Sequence, residues 1–303
     1  MMRKSVVWGN YLLLLGIGVI WGSQFVFNEI ALRSLPPLTI AAVRIVIGMF
    51  TLYILAGLFS RGGAAVTSSA VPTRKLWVDY AVISFFEAIL PFFLVVWGQR
   101  QVDSSIAAIL LGTIPIFTLV FTRSFVRDEA WTGAVVLSVL LGFLGVIVLL
   151  APNVHGAAPS SLWGELAILG GAMSFAIGII LLKKLPAVSA IKSVRNIFFI
   201  AALPMVVLAF WVDRPWQLEF TWSAALALLV LGVFCAGIVY LMYLVLIHRA
   251  GSTFASLTNY LVPVVGVIIG VIFAGEHMSG HEWLALVMIL AALGIYQFKR
   301  GGA

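Results

Sequence analysis

The chain has 303 residues, of which 63% are apolar and 10% charged, with a mean hydropathy of +1.15. A water-soluble domain carries about 25% charged residues, so these charges are too few to cover the two soluble domains that such a length would suggest. The formal charge of +7, from 18 Lys and Arg against 11 Asp and Glu, would hint at nucleic acid in a soluble protein but reads as membrane topology in an apolar one.

Spanning helices take about 20 residues each, and apolar windows between breaks predict ten of them. The first five lie near 11–31, 38–59, 77–98, 104–124 and 131–150, and the second five near 162–182, 194–212, 222–246, 253–274 and 281–298. The expected fold class is an all-α integral membrane protein. Arg3 and Lys4 precede the first window, which runs through Leu32 without a small-residue cleavage site, so it reads as a membrane helix and not a signal peptide. Breaks such as Leu35-Pro36-Pro37, Arg61-Gly62-Gly63, Ala151-Pro152-Asn153 and Asp213-Arg214-Pro215 carry turn chemistry. With the amino terminus in the cytoplasm, thirteen basic residues fall inside and only Arg33, Arg100 and Arg214 outside, which predicts ten spans with both termini cytoplasmic.

In chain order, span one offers Trp21, Ser23, Gln24 and Asn28, a polar set for a lipid-facing helix. Gln24 and Asn28 share a face that should look into the bundle, either to bind solute or to hydrogen-bond a neighbouring helix. Arg44 enters span two near one face, and Arg195 holds the matching place in span seven. Such a pair suits a carboxylate clamp, or each snorkels to its interface. Glu87 lies midway along span three, four residues before Pro91; an ionisable group there is costly unless paired, protonated or wetted. It is a candidate for a substrate amine or a coupling proton, against a structural carboxyl bonded to a neighbouring helix.

Trp97 and Trp163 are candidates for a vestibule, whereas Trp8, Trp77, Trp131, Trp211, Trp216, Trp222 and Trp283 lie near span ends as interface belts. Tyr240, Tyr243, Asn259 and Tyr260 in spans eight and nine suit an apolar pocket with sparse polar anchors. Pro91, Pro115, Pro204 and Pro263 fall within spans and should kink them. Gly18-x-x-x-Gly22 and Gly266-x-x-x-Gly270 read as close packing of helices. Glu276-His277-Met278-Ser279-Gly280-His281-Glu282 is the one segment resembling a metal site, but Ser279-Gly280 reads as a turn, so no metal is expected. The single cysteine, Cys235, excludes an intramolecular disulfide and Cys-based zinc or redox motifs. With no P-loop, dinucleotide fingerprint or HExxH motif, no cofactor is expected, and export driven by ATP would need another subunit.

The two halves repeat. Ser104, Ala107 and Pro115 recur at a spacing of 148 as Ser252, Ala255 and Pro263, with Ser105 matched by Thr253 and Asp128 by Glu276. Trp8-Gly9 matches Trp163-Gly164, Val43-Arg44 matches Val194-Arg195, and Gly145-Val146 answers Gly294-Ile295, all in the same order. The expected organisation is two five-helix repeats, 1–155 and 156–303. Because five is odd, the second enters inverted, around a central cavity suited to alternating access. Pro115 and Pro263, being related by the repeat, are the candidate hinges of its two gates. Leu111 and Gly112 stand opposite Asn259 and Tyr260, and such asymmetry is where a substrate site should show.

Trp21-Gly22-Ser23, Leu35-Pro36-Pro37 with Arg44, and Tyr260-Leu261-Val262-Pro263 followed by Gly275-Glu276 resemble the drug/metabolite transporter superfamily. More narrowly the whole chain looks like its ten-helix EamA-type exporters, and most like the bacterial YddG type, which exports aromatic and other neutral amino acids across the inner membrane. The first repeat departs from the pattern, with Arg127-Asp128 where the second has Gly275-Glu276. The resemblance implies a secondary exporter of amino acids in the inner membrane, its partners a small-molecule substrate and the lipid bilayer, not nucleic acid; protons are a candidate coupling ion, with facilitated diffusion the alternative. Another small metabolite or a drug-like solute is the alternative substrate. One chain can enclose the cavity, so a monomer is expected. An intramembrane enzyme would need an acid pair, a Ser-His pair or a zinc triad inside the spans, and a channel would need charge rings or a filter motif; neither is visible.

Overall fold

The computed structural model describes residues 2–60, 73–126, 132–154, 159–185 and 190–300; Arg127, Asp128 and Trp131 fall outside them. Among the described residues the fold is all-helical. Eight helical stretches are long and apolar enough to cross a bilayer. They are α1 (Trp8–Leu32), α2 (Pro37–Leu58), α3 (Arg74–Gly98), α4 (Ser104–Ser124), α5 (Gly133–Pro152), α6 (Ser161–Lys183), α7 (Lys192–Val212) and α8 (Trp222–Gly251). Two shorter apolar helices follow, α9 (Thr258–Ala274) and α10 (Gly280–Ile295). Ten full-length spans were expected. The ninth is shortened because Gly251, at φ +83°, and the Ser256–Leu257 turn interrupt the chain before Thr258. The backbone of the last helix runs on to Arg300.

Small residues set the crossings. A Cβ on Gly22 would stand 2.7 Å from Val265 and 3.1 Å from the Gly266 backbone nitrogen, so α1 and α9 approach almost backbone to backbone. Gly164, Gly171 and Gly178 present α6 to α3 at intervals of seven residues, against Gly98, Val95 and Glu87 respectively. In outline, α1 packs on α8 and α9 while α6 packs on α3 and α4; α2 packs on α7 and α8 while α7 packs on α2 and α3; α5 packs on α10. Apolar side chains such as Leu12, Phe50, Leu140, Leu203 and Phe273 cover the outside of the bundle, as lipid requires. Trp8, Trp77, Trp211, Trp216, Trp222 and Trp283 are all exposed.

Four π-helical stretches interrupt the regular helices: Phe85–Ile89 in α3, Thr122–Val126 at the end of α4, Val230–Ile238 in α8 and Gly270–Ala274 in α9. The second and fourth begin 148 residues apart, the spacing of the sequence repeat.

Carboxylates fasten the helix ends. Asp213, just past α7, accepts from the Thr39 backbone N–H at 2.8 Å and from its hydroxyl at 2.7 Å, capping the first turn of α2. Gly275 adopts a left-handed conformation at φ +71°, which turns Glu276 back over the bundle. There its carboxylate accepts from the N–H groups of Ser104 at 2.7 Å and Ser105 at 2.8 Å, and from the Ser105 hydroxyl. The Ser104 hydroxyl in turn donates to Glu29 at 3.0 Å, and Glu29 pairs with Arg33 at 3.3 Å. The Gly-Glu pair is therefore a helix cap supplied from the end of a helix packed against it.

Asp103 precedes this capped turn and makes no cap bond of its own. Partial desolvation, then the carboxylates of Glu276, Glu282 and Glu29, hold its carboxyl above the usual range. A raised carboxyl destabilises the fold at neutral pH, and that penalty disappears once the unfolded chain is protonated as well. Asp103→Asn is expected to raise the melting temperature in detergent at pH 7, with the gain vanishing below the ordinary carboxyl value near 3.8. Glu276→Ala should lower stability by about 2 kcal/mol through loss of the charged cap; an unchanged denaturation midpoint would contradict that role.

Candidate functional site

Glu87 sits inside the π stretch of α3, where Leu90 N–H bonds to the Phe85 carbonyl in place of Phe86. A proline ring clashes with the carbonyl four residues earlier, and for Pro91 that residue is Glu87. The widened turn therefore accommodates Pro91, and such turns recur at functional sites. Ser174 of α6 donates to the Phe86 carbonyl at 2.8 Å and pins the turn. One turn further along α6 stands Gly178, where a Cβ would lie 2.3 Å from Glu87 Oε2. Glu87 is 7% exposed, and Oε2 has no hydrogen-bond partner. Tyr240 and Tyr243 of α8 are close enough to interact electrostatically with it.

Arg44 is the second buried charge, 3% exposed. Its Nη2 donates to Gln24 Oε1 at 2.7 Å and to the Cys235 carbonyl at 3.4 Å, while its guanidinium carbon lies 4.2 Å from the centre of the Phe92 ring. The Cys235 carbonyl belongs to the π stretch of α8, and its thiol donates to the Ile20 carbonyl at 3.2 Å. Nε of Arg44 has no partner. Tyr240 interacts with Arg44 as well as with Glu87.

Aromatic rings join these groups across five helices. Trp21 meets Tyr240 at 5.9 Å and Tyr243 at 5.4 Å; Phe198 meets Tyr240 at 5.7 Å and Phe92 at 6.0 Å; Phe92 meets Phe175 at 6.0 Å. The result is a lined core with one acid, one base and two tyrosine hydroxyls. Of the expected site residues, the fold thus gathers Trp21, Gln24, Arg44, Glu87, Tyr240 and Tyr243.

The others go elsewhere. Asn28 donates to Gln99 Oε1 at 2.8 Å, and Gln99 donates to the Phe25 carbonyl at 3.0 Å, so Asn28 takes the interhelical role, joining α1 to the turn after α3. The Tyr260 hydroxyl donates to the Leu293 carbonyl and ties α9 to α10. Trp163 is 66% exposed. Trp97 and Asn259 are half-buried. Arg195 lies 4.7 Å from the exposed Tyr53 ring and donates to Asn196 at 3.1 Å, away from Arg44. Pro115 does not kink a helix: it sits in the first turn after a break at Gly112–Thr113, where its missing N–H costs nothing. Pro263 lies inside α9, with its ring against Gly112. Pro263 therefore packs against the break in α4 that Pro115 follows.

Sequence reasoning missed Phe92, Phe175, Phe198, Gly178 and the Cys235 carbonyl. The seven-residue spacing of Gly164, Gly171 and Gly178 was a usable signal for one of them; nothing distinguishes the three rings among 21 phenylalanines. A separate cavity of about 330 Å³ opens near the Glu276 cap, lined in part by Gln101, Asp103, Glu165, His281 and Glu282, and it does not reach Glu87. Among the described residues no group of three or more His, Cys, Asp or Glu is placed to hold a metal.

The close fit of Gly178 to Glu87 is testable. Gly178→Ala should destabilise the protein by about 1–3 kcal/mol through overpacking, and Glu87→Asp in the same chain should recover part of the loss by withdrawing the carboxylate. Additive losses in thermal unfolding would show that the two residues do not share this space.

The model of the EamA-like transporter family matches this chain twice, over residues 8–151 and 162–296. The "Uncharacterized inner membrane transporter YedA" of Escherichia coli (strain K12) is 28% identical over 294 residues, which cover 94% of this chain and 91% of that protein. A "Probable amino-acid metabolite efflux pump" of the same organism is 25% identical over 291 residues, covering 92% of each. A solved crystal structure shares the fold, with a TM-score of 0.65 at 20% identity over 95% of this chain and 96% of that one. Apolar helices throughout and a family match across both halves make this a multi-pass membrane transporter, and the chain belongs to the EamA-like transporter family.

Proposed function

We propose that the protein exports amino acids, aromatic and other neutral ones foremost, across the bacterial inner membrane by alternating access. Ten helices form two inverted halves, 1–155 and 156–303, with the solute held between them. The pairing of helices supports this arrangement: α1 with α8 and α9 mirrors α6 with α3 and α4, α2 with α7 and α8 mirrors α7 with α2 and α3, and α5 meets α10. The π stretches 148 residues apart support it as well. The distribution of basic residues favours both termini in the cytoplasm, with the Glu276 cap at the outer end. Where the Gly112–Thr113 break rests on Pro263, the two halves have a natural place to move against each other.

The observation that carries the reading is Glu87, a buried carboxylate with an unpartnered oxygen, set among Trp21, Tyr240 and Tyr243 at the middle of α3. Carboxylates are kept in such places for function. The relative described as a probable amino-acid metabolite efflux pump supports an amino-acid substrate, and the aromatic wall supports apolar and aromatic side chains. A drug-like organic cation is the second reading, favoured by the same acid among aromatic rings.

Reconstituted into liposomes, the protein should show saturable, competitive flux of labelled phenylalanine and other neutral amino acids, measured with and without an imposed pH gradient. Glu87→Gln should lower that flux about tenfold or more, as expected for a lost charged hydrogen bond. Wild-type flux in Glu87→Gln at every pH would remove the residue from the mechanism. Flux of an organic cation with none of any amino acid would decide for the second reading.

A further inference from the structure

Two ionisable side chains of opposite type are buried in the same core without pairing with each other. Arg33 pairs with Glu29 near the end of α1, and neither Arg44 nor Glu87 takes part. Arg44 and Glu87 each keep one buried polar atom without a hydrogen-bond partner, Nε and Oε2. Both interact with Tyr240, which stands within electrostatic reach of each. Each charge also has its own fixed support: Arg44 lies on Phe92 and donates to Gln24 and the Cys235 carbonyl, while Glu87 is seated against Gly178.

Unpaired buried charges are costly, and the cost falls when an opposite charge with hydrogen bonds arrives. A neutral polar solute could hydrogen-bond both atoms but would balance neither charge. A cation would serve Glu87 alone, and an anion Arg44 alone. A zwitterion carries both complements on one small molecule and brings no net charge with it as it moves through the membrane.

We propose that Arg44 and Glu87 form a split receptor for an α-amino acid zwitterion, Arg44 taking the carboxylate, Glu87 the ammonium, and Tyr240 bridging them, with the side chain lying against Trp21 and Tyr243. This inference rests on the amino-acid reading above and adds the recognition of both charged ends. It assigns the substrate class by headgroup and leaves side-chain preference to the aromatic wall.

The test compares phenylalanine with three relatives that keep its ring: phenylalanine amide and phenethylamine, which lack the carboxylate, and N-acetylphenylalanine, which lacks the ammonium. Two readouts serve, competition against labelled phenylalanine flux in proteoliposomes and the ligand-induced melting shift of the purified wild-type protein. All three relatives should compete at least about tenfold more weakly than phenylalanine. Glu87→Gln should lose the preference over N-acetylphenylalanine while keeping that over the amide. Arg44→Gln should do the reverse, and Arg44→Lys should restore part of the carboxylate preference. The wild-type melting series stands even if an Arg44 variant fails to fold. Equal competition by the amide and by phenylalanine would overturn the split receptor while leaving amino-acid export intact, as would a Glu87→Gln variant that weakens both preferences alike. Neither flux nor a melting shift with any amino acid would overturn the amino-acid reading and this inference together.

Discussion

A hydrocarbon slab gives a polar group no water to fall back on, so every polar atom within it needs a partner in the protein or remains an energetic debt. The organisation of this transporter follows from how that demand is met. Arg44 meets it with an amide, a backbone carbonyl and the face of a ring, each from a different helix: Gln24 of α1, Cys235 of α8 and Phe92 of α3. The arginine therefore draws three helices together around α2. Glu87 meets it only in part, with Oε2 left without a partner.

Irregular helix carries two of these groups. A helix carbonyl that has accepted its amide still offers a second lone pair. The π stretch of α8 includes Cys235, whose carbonyl accepts from Arg44, and the π stretch of α3 absorbs the ring of Pro91 and sets Glu87 in a widened turn. Opposite that turn α6 offers a glycine, so the carboxylate is accommodated by the absence of a side chain. Local irregularity and close helix approach thus serve one end, the placing of two charges that do not touch each other.

The helix ends obey the same rule with different chemistry. Nearer water, the first turns of α2 and α4 borrow carboxylates from distant parts of the chain, Asp213 and Glu276. Each cap joins a helix start to the end of a helix packed against it, and each orders an end that lipid could not satisfy. Asp103, held above the usual carboxyl range beside one of these caps, shows how crowded with like charge that end has become.

The sequence by itself determined the solvent and the class of fold, because apolar windows of about 20 residues and a scarcity of charge admit few other outcomes. It also singled out Trp21, Gln24, Arg44, Glu87, Tyr240 and Tyr243, since polar and ionisable groups are conspicuous against an apolar background. Tertiary structure alone decided which of them meet. Asn28 lies one turn from Gln24, yet it closes on Gln99 while Gln24 turns to Arg44, a divergence set by which helix each residue faces. Tyr260 and Trp163 carry the same chemistry as Tyr243 and Trp21, but one is held to the Leu293 carbonyl and the other is exposed. Phe92, Phe175 and Phe198 were invisible in advance for the opposite reason: an aromatic ring gains a role here from its neighbours in space, and hydrophobicity along the chain says nothing of who those neighbours will be.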